Sequence, residues 1–180
     1  MRNAITRGIM PGFFLSIILT SLMLMSAVVP QNTKFSNVTF TAIFLTVIVY
    51  VLWKAISKNL RNSRINWQHL ILTSLTCSFI AAFFFSAFSF IYARDISPGY
   101  LQELLQQAKV LWIEKNNTAE SIATQGEWTW LKTPINFAVN NFKVLMLVLA
   151  VFSVILSTTF YFRHKNNHPY NNAHDPQLIF

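Results

Sequence analysis

Four stretches of this chain are apolar for longer than the core of a small domain requires, and its polar residues gather between them. The runs cover about 9–29, 38–56, 70–92 and 135–162, the last with its apolar core from Val144 to Phe162. A bilayer hydrocarbon core about 30 Å thick is crossed by about 20 residues of helix. No run contains Asp or Glu. Backbone groups in lipid must find partners within their own segment, so each run predicts a helix. The predicted fold class is all-α, an integral membrane four-helix bundle. The second run is the shortest. The first follows Arg2 and Arg7 as a secretion signal would, but it outlasts the usual signal core and no A-x-A site closely follows it. An uncleaved span is the expectation.

After the third run the pattern changes. Arg94-Asp95 marks the exit, Ser97 reads as an N-cap, and Pro98 as the first helical residue, where a missing N–H costs nothing. Leu101, Leu104, Leu105, Ala108, Leu111 and Trp112 then share one face of a helix. Gln102, Glu103, Gln106, Gln107 and Lys109 take the opposite face. The spacing predicts an extracytoplasmic amphipathic interfacial helix over 98–115, lying on the outer membrane surface or packing over the span ends. Thr133-Pro134 repeats the cap-and-proline start, so the fourth helix should begin well before its apolar core. On its outer turns Asn136, Asn140 and Lys143 share a face. Two readings stay open: Lys143 snorkels to the surface, or the three form a polar pocket beneath the outer helix, paired with Glu103.

Composition agrees with this pattern. Charged residues make up 11% of the chain, against about 25% in soluble domains. The net charge of +8 does not imply nucleic acid, because the cations sit at the ends of apolar runs, where they meet anionic lipid. Lys54, Lys58, Arg61 and Arg64 form a loop without an acid, whereas the 93–134 segment mixes both signs. The positive-inside rule therefore places that loop and both termini in the cytoplasm and the 98–115 helix outside. Trp53 and Trp67 flank the basic loop, Trp112 sits on the outer segment, and Trp128 and Trp130 precede the fourth span, so no Trp lies at mid-membrane. Residues 1–163 form the membrane domain in this reading, and 164–180 a polar, disordered cytoplasmic tail.

Lipid is as apolar as Leu, so spans associate through small residues that let backbones approach. Gly8, Gly12, Ser16 and Thr20 recur every four residues on the first span, and Ser74, Ser78, Ala82 and Ser86 on the third. Both stripes are expected to be packing seams, within the bundle or between copies.

Chemical motifs are scarce. No H-E-x-x-H, phosphate loop or G-x-G-x-x-G occurs, and Cys77 is the only cysteine. His164, His168, His174 and Asp175 fall in an Asn- and Pro-rich tail that offers no stable metal geometry. No catalytic residue, cofactor or metal is expected. Three functions remain: a non-catalytic scaffold or accessory subunit, a small transporter or channel for a neutral solute, and, third, a membrane-embedded enzyme. The first fits best. Membrane lipids are the expected partners, with other membrane proteins or self-association as further ones.

The central stretch SRINWQHLILTSLTCSFIAAFFFSAFSFIYARDISPGYLQELLQQA resembles a bacterial four-span family known as domain of unknown function 4199. The likeness rests on Trp67-Gln68, the run to Tyr92, the step Ile96-Ser97-Pro98-Gly99-Tyr100, the helix from Leu101, and the basic exit FYFRHK. It implies four spans in the cytoplasmic (inner) membrane of a Gram-negative bacterium. It lends no catalytic residues, and this chain's polar tail is longer than the family usually shows.

Overall fold

The structure, a computed structural model, describes residues 2–28, 34–57, 67–106 and 132–167. They form α1 (Arg2–Val28), α2 (Lys34–Ser57), α3 (Trp67–Ile91), a π-helical turn (Tyr92–Ile96), α4 (100–106) and α5 (Pro134–Asn167). Every described element is helical, so the class is all-α. Among the described residues, three segments are long and apolar enough to cross a membrane: Ala4–Met25, Trp67–Ile96 and Pro134–His164. The apolar part of α2, Thr41–Ser57, is shorter.

Neighbour contacts fix how the helices run. Gly8 of α1 lies against Thr73 and Thr76 of α3, Gly12 against Cys77 and Ile80, and Met23 against Ser89. Numbers rise together, so α1 and α3 are parallel. Ser74 meets Ser157 and Ser78 meets Ser153, so α5 runs antiparallel to α3. The starts of α1 and α3 and the end of α5 therefore share one end of the bundle. The exit from α3, α4 and the start of α5 share the other.

α3 sits between α1 and α5. Leu15, Leu19, Ile48, Leu52, Cys77, Ala81, Ala82, Leu145 and Leu149 make one buried core to which all four long helices contribute. The third side of α3 faces outward. There Phe142, Phe79, Phe83, Phe84 and Phe13 form a chain of ring contacts with centroids 5.3–6.4 Å apart. Edge-to-face and stacked geometries at these distances suit the ring quadrupoles.

Several boundaries move. α1 begins seven residues before position 9 and accommodates Pro11, which cannot donate a helical hydrogen bond. α5 continues past 163 to Asn167, so the first four residues of the expected tail are helical. Adding a residue to an existing helix gains a backbone bond without a new nucleus, which lets a polar sequence extend it. The rest of the tail, the basic loop beyond Lys54, and Leu111 and Trp112 lie outside the described residues.

Candidate functional site

The seams that hold α3 are where the polar and small residues collect. On the α1 side, glycine is required by distance. A Cβ on Gly8 would stand 2.5 Å from the Thr73 carbonyl oxygen and 2.9 Å from the Thr76 Cβ. On Gly12 it would stand 2.6 Å from the Cys77 carbonyl oxygen and 2.9 Å from the Ile80 Cβ. Backbone oxygens cannot swing aside, so the two helices touch through the absence of side chains. Ser16 is buried and returns its hydroxyl to the Phe13 carbonyl at 2.7 Å, while Thr20 is half-buried.

The α3 stripe turns toward α5 instead. Ser74 Oγ lies 3.1 Å from Ser157 Oγ, and Ser78 Oγ lies 2.9 Å from Ser153 Oγ. Each α3 serine also donates to its own helix, Ser74 to Leu70 and Ser78 to the Ser74 carbonyl. All four hydroxyls are fully buried. A hydroxyl has one proton and two lone pairs, so these groups satisfy one another without water. Ala82 continues the stripe as a core residue. Ser86 ends it differently: its Oγ is buried with no hydrogen-bond partner among the described residues. The small-residue periodicity marks only the α3 half of this ladder, Ser74 and Ser78, and not Ser153 and Ser157. Their i, i+4 spacing with Leu145 and Leu149 was the available signal.

A second cluster closes the far end. Ala93, Leu101 and Phe137 are buried together, with Met23, Tyr100, Leu104 and Leu105 packed around them. Tyr92, Tyr100 and Phe137 link the π turn, α4 and α5 through edge-to-face rings at 5.1 and 6.1 Å. α4 thus packs over the helix ends along its described length. Burial pushes the Tyr100 phenol above the ordinary tyrosine range, with Tyr92 and Glu103 adding to the effect.

Local geometry here differs from expectation at the exit from α3. The α3 helix widens into a π turn in which the Ser97 N–H donates to the Tyr92 carbonyl at 2.8 Å. Ser97 consequently does not cap α4. Its carbonyl accepts from Tyr100 in a turn centred on Pro98-Gly99, and the Gly99 carbonyl receives the first helical bonds from Gln102 and Glu103. For Asn136, Asn140 and Lys143 two readings stand open, a snorkelling Lys143 or a polar pocket beneath the outer helix. Asn136 and Lys143 are exposed and Asn140 is half-buried, while Phe137 and Ala138 face inward. A phenyl ring under α4 buries apolar area at no desolvation cost, which an amide or ammonium there would incur. The cap at Thr133 matches its signature: Oγ1 accepts from the Asn136 N–H at 3.2 Å, its carbonyl accepts from Phe137 at 3.0 Å, and Pro134 follows.

At the opposite end, Trp67 Nε1 donates to Thr158 Oγ1 at 3.4 Å, tying α3 to α5. Among the described residues, no three His, Cys, Asp or Glu side chains gather as a metal site would require.

Long apolar helices joined through glycine contacts and a buried hydroxyl ladder define a class, the all-α helical bundle. The family described as "Protein of unknown function (DUF4199)" matches residues 6–162, and the chain belongs to it. No curated protein and no solved structure matches the chain.

Proposed function

We propose that the chain is a non-catalytic scaffold or accessory subunit of the bacterial inner membrane. α1, α2, α3 and α5 cross the bilayer, the start of α1 and the end of α5 lie in the cytoplasm, and α4 covers the outer ends. Support for a membrane comes from what the outer faces carry. Phe14, Phe83 and Leu147, far from any helix end, are 60%, 53% and 68% exposed. A water-soluble monomer rarely shows apolar surface of that extent. Lys54 on the α2 end and the acid-free loop that follows favour the cytoplasm for that end.

The observation that carries the accessory role is the Ser74–Ser157 and Ser78–Ser153 ladder. Hydroxyls that would have to line a path for a neutral solute are instead bound to each other in a core that excludes water. A protein built this way offers rigid helices and lateral surfaces to neighbours.

Two measurements on one purified sample test the reading. After mild extraction and crosslinking in native membranes, mass spectrometry should find a membrane partner at fixed stoichiometry. Stopped-flow shrinkage of proteoliposomes in glycerol or urea gradients should match empty vesicles. Solute entry faster than in empty vesicles, and lost in Ser78→Phe, would establish transport instead.

A further inference from the structure

Between α2 and α5 runs an open groove of about 470 Å³, lined by Leu45, Thr46, Val49, Tyr50, Trp53 and Phe152. Its volume lies in the range of small-molecule sites, about 300–1,000 Å³. Five of the six residues form one stripe on α2 that is about 12 Å long at 1.5 Å per residue. The Thr46 hydroxyl is turned into its own helix, donating to the Ala42 carbonyl at 2.8 Å, so it leaves the wall apolar. At one end the chemistry changes. The Tyr50 and Trp53 rings lie 6.1 Å apart, and the Lys54 ammonium stands 5.7 Å over the Tyr50 ring.

Read along its length, the groove offers a cation, then two rings bearing O–H and N–H donors, then a hydrocarbon trough. This is the order of an anionic phospholipid: phosphate, glycerol esters, acyl chain. Amphipathic rings favour the ester level of a bilayer. Bulky, half-exposed side chains suit a flexible chain better than a second helix, whose close packing calls for small residues. We propose that the groove binds one anionic phospholipid, with an acyl chain against Val49 and Phe152 and the headgroup on Lys54. The proposal rests on the chain spanning a membrane and is independent of the accessory role.

One force opposes it. The α2 helix ends at Ser57, and the carbonyl end of a helix disfavours an anion nearby. Lys54 lies in that last turn and reverses the local sign. Among the described residues at this end of α2, Lys54 supplies the cation, so headgroup preference is placed on it, while occupancy of the trough is not.

Trp53 reports on the site directly. Full-length protein keeping Trp53 alone, the other four tryptophans replaced by Phe, is reconstituted in vesicles with equal fractions of brominated phosphatidylglycerol or brominated phosphatidylcholine. A companion protein keeps Trp67 alone, which is exposed at the start of α3. Phosphatidylglycerol should quench Trp53 preferentially, beyond any preference at Trp67, by about fivefold in relative affinity, the worth of one basic side chain at an anionic surface. Lys54→Gln should abolish the excess and Lys54→Arg should keep it. Equal preference at both tryptophans, showing only diffuse surface charge, would overturn the site and leave the membrane reading intact. Quenching at Trp67 with none at Trp53 would overturn it in favour of a second protein copy in the groove. No quenching at either position would overturn the membrane reading itself.

Discussion

Gly12 approaches Cys77 so closely that a Cβ there would lie 2.6 Å from the Cys77 carbonyl oxygen. Because the obstacle is backbone, Gly12→Ala must push α1 away from α3, and Gly8→Ala must do the same one turn earlier. Overpacking of this kind costs about 1–3 kcal/mol. Thermal unfolding followed by circular dichroism in detergent should show the loss for both variants. Gly99, with no described atom within 4 Å of its added Cβ, is the control. Gly99→Ala should lower the midpoint far less, and equal losses at all three positions would contradict the close contact.

The paired hydroxyls of Ser78 and Ser153, 2.9 Å apart, predict a non-additive cycle. Either serine alone changed to Ala leaves its partner short of one bond. The double variant removes both groups at once, which is nearly neutral for buried pairs. The coupling measured between Ser78→Ala and Ser153→Ala should be about 0.6 kcal/mol, the average for such bonds within membranes. Additive losses would mean the hydroxyls do not interact.

Ser86 supplies the opposite case. Its Oγ is buried without a partner among the described residues, so Ser86→Ala removes a desolvation penalty and loses no described bond. An unmade buried hydrogen bond costs about 1–3 kcal/mol. The variant should melt at or above the wild-type temperature. A clear drop would show that Ser86 has a partner, such as an ordered water.

Tyr100 sets an alkaline limit. Burial first, then Tyr92 and Glu103, raise its pKa in the folded state. The folded chain therefore prefers the neutral phenol. That contribution is fully present below the unfolded tyrosine value and is lost as pH rises through the higher folded one. Tyrosinate absorbance should reveal one late-titrating tyrosine. Stability should fall across the same alkaline window, and Tyr100→Phe should remove that component. An unchanged alkaline limb in Tyr100→Phe would contradict the assignment.

What the sequence made legible followed from periodicity. Small residues every fourth position marked one face of α1 and one of α3, and a Thr-Pro step marked the start of α5. The partners of those faces left weaker marks. Thr73, Thr76, Cys77 and Ile80 are not small as a group; they meet α1 because glycines opposite them supply the room. Ser153 and Ser157 are periodic but sit inside a run whose dominant signal is hydrophobic. The π turn at Tyr92–Ile96 carried no composition cue, so the cap fell on Ser97 when Gly99 holds it. Asn136, Asn140 and Lys143 shared a face as read, yet Phe137 one step round the helix won the place beneath α4.

Gln106, exposed on α4, and the start of α1 lie at opposite ends of the bundle. The central claim, that the helices cross a bilayer between those ends, is tested most directly by labelling cysteines at these sites with a membrane-impermeant maleimide in intact cells. The wild-type chain, whose Cys77 is buried, supplies the blank. Gln106→Cys should label from outside, and Thr6→Cys only after the inner membrane is permeabilised. Labelling of both from the same side would contradict the account.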